Sequence, residues 1–306
     1  MVKKLSDLYL DARRALLVRE DADTAAFMAR HLLAHVTGKN QAQLLSDKEQ
    51  YVDGSVCAAM DEGVARLLTG EPLAYVLGEW DFYGMTLYVD KNVLIPRDDT
   101  CAVTDLAIKK GLFLNQDPRI LDLCTGSGCI GLAVAARVKD ARVTLADISR
   151  DALAVAKKNI AAQHLSARVK CVQANALEKP ATFLGKFDMI ISNPPYITTA
   201  EMDELDGSVK NFEPHLALHG GGDGLDFYRA IEKNYAAALT PGGFLCLISA
   251  WAWVTRSAPF WRKMGIPFWN GPEIIIKENG QSLPNGRKID YGKSKRFLRS
   301  TDSRRG

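Results

Sequence analysis

From residue 119 onward, short apolar runs of strand length alternate with longer stretches whose apolar residues recur at helical spacing. Residues 119–124, 143–146, 169–172 and 187–192 read as strands, and residues 130–138 and 152–164 as helices. Strands that alternate with helices pair in parallel, because each crossover helix has to lie over a face of the sheet. The pattern therefore predicts an α/β fold with a parallel sheet. Ligands of such sheets bind in the crevice beyond the carboxyl ends of the strands, so the residues that end each strand carry most of the functional information.

The first of these strands runs into Asp122-Leu123-Cys124-Thr125-Gly126-Ser127-Gly128-Cys129. Glycines at 126 and 128 allow a tight turn and a close approach of backbone to ligand at the N-terminus of the next helix. The second strand ends in Asp147, 21 residues after Gly126, where a carboxylate is placed to accept both hydroxyls of a ribose. The loop has no Lys-Ser/Thr pair, which argues against a phosphate-binding P-loop and against phosphoryl transfer. What remains is a nucleoside-bearing cofactor at the strand ends.

The strand at 187–192 stops at Asn193-Pro194-Pro195-Tyr196. Two prolines remove two backbone donors and hold the chain in an extended bend, while Asn193 offers one acceptor and two donors. Such a bend can hold a planar –NH2 group by accepting both its hydrogens, with Tyr196 packed on the group's flat face. Accepting those hydrogens returns electron density to a nitrogen whose lone pair is otherwise delocalised. An ordinary strand-to-loop turn is the plainer reading of the same four residues, and the glycine loop upstream weighs against it. A nucleoside cofactor beside a nitrogen nucleophile points to methyl transfer from S-adenosylmethionine. The sulfonium is already an excellent leaving group, so the protein need only align nitrogen, methyl carbon and sulfur and desolvate them. No metal, covalent intermediate or strong base is needed, because the proton can leave after methylation.

The rest of the chain frames this core. Residues 1–70 read as a small helical bundle, with Asp23 placed to cap a helix that ends near Gly38 and a further helix closed by Gly70-Glu71-Pro72. His31 and His35 stand at i, i+4, but with no third ligand in sight they read as a solvated face. Residues 79–95 change period and predict a β-hairpin around Tyr83-Gly84 and Asp90-Lys91-Asn92. The charged cluster Pro96-Arg97-Asp98-Asp99-Thr100 is either a helix cap or a wall of the site. Six scattered cysteines without a close CxxC pair fit reduced thiols rather than disulfides or zinc. The N-terminus lacks the apolar core of a secretory signal and no apolar run approaches a membrane span, so a cytoplasmic location is expected. Net charge is only +3, and it is uneven: residues 249–306 hold 12 of the 39 Lys+Arg but 4 of the 36 Asp+Glu. Residues 1–248 are thus net acidic, which argues against direct nucleic-acid binding.

Several of these stretches occur together with Gly70-Glu71-Pro72-Leu73-Ala74-Tyr75, Val93-Leu94-Ile95-Pro96-Arg97, Phe212-Glu213-Pro214 and Gly222-Asp223-Gly224-Leu225. In that combination, over roughly residues 10–248, the chain resembles the peptide chain release factor glutamine methyltransferase family (HemK/PrmC). The resemblance implies a Rossmann-like, seven-strand S-adenosylmethionine-dependent methyltransferase sheet and a small N-terminal helical domain that helps dock a release factor. It also implies methylation of the side-chain amide nitrogen of the Gln in the Gly-Gly-Gln (GGQ) loop of that factor. Carried over by position, Cys124, Thr125, Gly126, Ser127 and Gly128 cradle the methionine part of the cofactor and Asp147 binds its ribose. Asn175 and Ala176 flank the adenine, and Asn193, Pro194, Pro195 and Tyr196 hold the substrate glutamine, with Asn193 also touching the cofactor and Arg97 on the substrate wall. The boundaries expected are 1–75 for the docking domain, 76–97 for the hairpin linker and 98–248 for the methyltransferase core. A ribosomal-protein glutamine methyltransferase, a nucleic-acid adenine methyltransferase and a non-catalytic remnant are the alternatives; a monomer is expected.

Three departures stand out. Asn175 replaces the family's usual Asp, and Cys101 replaces a carboxylate after Arg97. The third is the tail, where the family has an acidic residue, a glycine, an amphipathic helix and a final strand pair. This chain instead has Ile248-Ser249-Ala250-Trp251-Ala252-Trp253, then scattered prolines and basic residues through 306. We read residues 249–306 as translated out of frame. Read from the third base of each codon, Trp251-Ala252 and Trp253-Val254 are each forced to Gly, Phe260-Trp261 to Leu and Trp269-Asn270 to Glu. On this reading the last sheet strands are missing and an apolar edge is exposed. A divergent basic tail that touches RNA is the rival, and the gene's nucleotide sequence decides between them.

Overall fold

The computed structural model describes residues 2–114 and 116–248, and the backbone of 274–278. The N-terminal part is a helical bundle: α1 (Leu5–Leu16), α2 (Ala22–Thr37), α3 (Gln41–Ser46), α4 (Gly54–Leu68) and the short α5 (Leu73–Leu77), with β1 (Lys3–Lys4) paired to β2 (Tyr51–Val52). The starts of α2, α3 and α4 are set by side-chain caps. Asp53 caps α4, and Asn40 with Gln43 forms a reciprocal capping box on α3. The expected cap of α2 is displaced by two residues: Asp21, not Asp23, accepts from the N–H groups of Asp23 and Thr24, at 2.9 and 3.0 Å. Asp23 already lies in the first helical turn, where its charge favours the helix dipole. Gly38 closes α2 in the left-handed conformation, φ 64°. His31 packs on Phe27 and His35 lies 3.5 Å from Glu79. Among the described residues no group of three ligating side chains could hold a metal, and no helix is long and apolar enough to cross a membrane.

The hairpin is shorter than expected. Only β3 (Glu79–Phe82) and β4 (Met85–Tyr88) pair. Residues 93–95 join no ladder: the Val93 N–H donates to the Asp90 carbonyl at 3.1 Å, and two further polar groups of the segment are taken by side chains. The Tyr75 hydroxyl donates to the Val93 carbonyl at 2.6 Å, and the Ile95 N–H donates to Glu213 at 3.2 Å. Val93 and Ile95 are buried with Ala74, Tyr75, Ala152 and Val155, so this segment seals the join between the bundle and the sheet domain.

The main sheet is built from β5 (Arg119–Leu123), β6 (Arg142–Asp147), β7 (Val169–Gln173), β8 (Phe187–Ser192), β9 (Leu239–Ile248) and β10 (Ile274–Glu278), in the order β10-β9-β8-β5-β6-β7. β5 to β9 run parallel, and β10 is antiparallel to β9 with Ile276 opposite Cys246. The expectation that the sheet stops at β9 is thus overturned: a segment of the tail supplies an edge strand. The remaining tail residues, including those that carry the forced codons, lie outside the described residues. One face packs α6 (Thr100–Gly111), α7 (Cys129–Arg137) and α8 (Arg150–Ala162); the other packs α10 (Asp226–Tyr235), which follows the single turn α9 (Gly207–Lys210). β5 to β7 build outward on one side and β8 to β10 on the other, so the order reverses between β5 and β8. That is the switch point at which doubly wound sheets open a crevice.

Candidate active site

The carboxyl ends of β5, β6, β7 and β8 open into one cavity. Its floor is the turn after β5. Gly126 adopts φ 54° and a Cβ there would meet no atom within 4 Å, so its backbone fronts open space. Gly128, at φ 86°, serves packing instead: a Cβ would lie 3.0 Å from Leu145 and 3.2 Å from Leu132. Cys124 also sits in the left-handed region, φ 59°, which costs a non-glycine residue about 1 kcal/mol. Burial pushes its thiol up, so the cavity wall carries a neutral thiol there.

Beneath the turn lies Asp122, fully buried near the carboxyl end of β5. Its Oδ2 accepts from Thr125 Oγ1 at 2.6 Å and from the Gly131 N–H at 2.9 Å, while its Oδ1 is buried without a hydrogen-bond partner. Burial pushes its carboxyl up to about 7. Asp147 ends β6 and is fastened in the same way, Oδ2 accepting from the Gly126 N–H and Oδ1 from the Ser149 N–H, both at 2.9 Å. Each oxygen keeps a free lone pair. Burial also raises its carboxyl, and hydroxyl donors from a ligand would stabilise the charged form. Asn175 and Ala176 follow β7 on the cavity wall. The Asn175 amide is oriented by the Leu177 N–H, which donates to its Oδ1 at 3.0 Å, and by Glu178, which accepts from its Nδ2 at 2.9 Å.

Asn193 and Pro195 line the same cavity, and Asn193 follows the strand next to this turn, with Ser192 opposite Leu123 in the sheet register. Asn193 Oδ1 is buried and has no hydrogen-bond partner, a state that costs about 1–3 kcal/mol until a donor arrives. The next residues are locked by a short pairing: Ile197 N–H donates to Leu218 O at 2.9 Å and Gly220 N–H to Ile197 O at 2.8 Å. Arg97, Pro96 and Thr100 complete the wall, so the charged cluster is a wall; the Asp99 side chain makes no capping bond to α6. Of the residues singled out from sequence, Arg97, Cys124 to Ser127, Asp147, Asn175, Ala176, Asn193 and Pro195 share the cavity. Gly128, Pro194 and Tyr196 are outside its wall: Gly128 starts α7, Pro194 is buried, and Tyr196 packs on the apolar cluster under α10.

Three residues escaped sequence reasoning. Glu213 is buried and pairs with Arg97, 116 positions away. Asn159, buried in α8, donates to Ser127 O at 2.9 Å and to Tyr88 O at 3.0 Å and accepts from the Tyr88 N–H at 2.7 Å. Gly220 lies so close to the corner that a Cβ would fall 2.6 Å from Tyr196 Cα. A polar residue on an apolar helical face was the signal for Asn159; Glu213 stood out only as part of Phe212-Glu213-Pro214, with no role attached, and Gly220 has no signal in local sequence.

An open glycine turn, a ribose-ready carboxylate and an unpartnered amide oxygen around one crevice suit S-adenosylmethionine better than a phosphate-anchored cofactor. Fold and site together define a Rossmann-like S-adenosylmethionine-dependent methyltransferase. The family model of the methyltransferase small domain matches residues 106–210, and that of the PrmC N-terminal domain matches residues 8–78. The chain is 39% identical over 240 residues to a release factor glutamine methyltransferase of Chlorobaculum tepidum, covering 76% of this chain and 81% of that one. It is 38% identical to proteins of the same name from Clostridium acetobutylicum, covering 70% and 75%, and from Bordetella pertussis, covering 78% and 86%. The chain belongs to the release factor glutamine methyltransferase family.

Proposed function

We propose that this protein transfers the methyl group of S-adenosylmethionine to the side-chain amide nitrogen of the Gln in the GGQ loop of peptide chain release factors. The observation that carries the reading is the shared cavity: Asn193 and Pro195 line it together with the Gly126 turn and Asp147. Asp147 and the turn from Cys124 to Ser127 hold the cofactor, with Asn175 and Ala176 beside its base. The bound sulfonium supplies an electrophilic methyl with a neutral thioether as leaving group. Asn193 Oδ1 accepts one hydrogen of the substrate carboxamide, which relieves its own burial cost and directs the nitrogen lone pair. Pro195 leaves no backbone N–H to compete for the carboxamide oxygen, and the apolar wall of Ile130, Leu177 and Phe227 excludes water. As the N–C bond forms, the nitrogen becomes acidic and its proton passes to solvent, so no buried base is required.

The match of residues 8–78 to the PrmC N-terminal domain favours a release factor over a ribosomal protein as acceptor. The net acidic balance of residues 1–248 disfavours a nucleic acid. The protein acts as a cytoplasmic monomer on this reading. The test is transfer of labelled methyl to a release factor, to the same factor with its GGQ glutamine replaced, and to adenine-containing nucleic acid. Label on the first alone is expected; label on nucleic acid or on the substituted factor overturns the proposal.

A further inference from the structure

Glu213 has no place in the chemistry just described, yet among the described residues it is one of the most buried charged groups. Its side chain is 1% exposed, whereas that of its partner Arg97 is 39% exposed. The carboxylate holds two groups of the 95–97 segment: Oε1 accepts from Arg97 Nη2 and Oε2 from the Ile95 N–H at 3.2 Å. Pro96 and Arg97 line the cavity, and so do Pro214 and Leu216, just after Glu213. A buried carboxylate stripped of its cation is strongly disfavoured, so the pair keeps the 95–97 and 213–216 segments together. Glu213 engages only Nη2 of the guanidinium fork, and the Arg97 side chain, 39% exposed, lines the cavity.

We propose that Glu213 is a positioning residue for substrate: it aims the free N–H groups of Arg97 at backbone carbonyls of the peptide loop that carries the acceptor glutamine. An extended Gly-rich loop offers little but carbonyl oxygens for recognition, and a fixed guanidinium is the side chain best shaped to take two of them. The inference rests on the functional reading above, with the acceptor a protein loop.

The experiment compares wild type, Glu213→Gln, Arg97→Lys, Arg97→Ala and the double variant Glu213→Gln/Arg97→Ala. It measures steady-state methylation of a release factor and binding of S-adenosylhomocysteine by calorimetry. Glu213→Gln is expected to raise KM for the release factor about tenfold, with kcat and S-adenosylhomocysteine affinity each within about twofold of wild type. Arg97→Lys keeps a cation beside the buried carboxylate, and so keeps the fold, but loses the fork; the same rise in KM is expected. The double variant should be no worse than Arg97→Ala, because Glu213 acts through Arg97. The inference is overturned by an unchanged KM in Arg97→Lys, by multiplying effects in the double variant, or by a parallel loss of S-adenosylhomocysteine affinity in Glu213→Gln. Failure of wild type to methylate the factor at all would instead remove the functional reading.

Discussion

Asn193 Oδ1 and Asp122 Oδ1 are both buried without partners, and the two call for different experiments. Asn193 borders the cavity, so its cost is recovered when a donor binds. Asn193→Ala is expected to lower methyl transfer by about 100-fold or more, the scale of losing one oriented hydrogen-bonding group at a reacting centre. S-adenosylhomocysteine affinity should change only a few-fold, as calorimetry would show; retained turnover would refute the role. Asp122 lies beneath the turn, and its carboxyl is raised from 3.8 to about 7 by burial. Between those values the folded state holds a proton that the unfolded state has released. Stability from this group is therefore complete below about pH 4 and is lost as pH rises toward 7. Against Asp122→Asn, which cannot titrate, wild type should lose stability across that window in parallel denaturant titrations. A constant difference between the two proteins would place the titration elsewhere.

At the scale of elements, the site is held by contacts between segments distant in the chain. The 218–221 segment pairs with the residues after the Pro-Pro corner and approaches them too closely for any side chain at 220. Gly220→Ala should push that corner out of register and cost about 1–3 kcal/mol of stability, as overpacking does. The fall in kcat should be larger than the fall in cofactor affinity, since the glycine turn is untouched. Asn159 ties α8 to both the hairpin and the turn, and only an amide of this length both accepts from Tyr88 and donates to Tyr88 and Ser127. Asn159→Asp leaves the buried Ser127 carbonyl and the partly buried Tyr88 carbonyl facing a carboxylate. It should cost about 1–3 kcal/mol or more and weaken S-adenosylhomocysteine binding, measured by melting and calorimetry. Asn159→Asp with unaltered cofactor affinity would show that the turn does not depend on this tie.

At the scale of the whole molecule, a two-sided sheet places its binding crevice at the strand reversal, and the bundle is joined to it through the segment at 93–97 and the buried cluster around Tyr75. β10 covers the edge of β9, whose Leu245 to Ile248 are buried. A chain ended after Ile248 should expose that edge, melt lower and scatter light on warming; equal melting and solubility would mean that the edge strand adds nothing. The sequence by itself determined the periodicities: alternating strands and helices, the glycine turn, Asp147 at a strand end and the proline corner are each written within a few consecutive residues, where local sterics and hydrogen bonding act. The same locality limited it. The cap at Asp21 rather than Asp23 and the loss of pairing at 93–95 were settled by which donors and acceptors lay within reach. Tertiary structure alone decided that Glu213 meets Arg97, that Asn159 holds Ser127 and that Gly220 abuts Tyr196, because burial and close approach join residues tens to more than a hundred positions apart and no short stretch of chain encodes them.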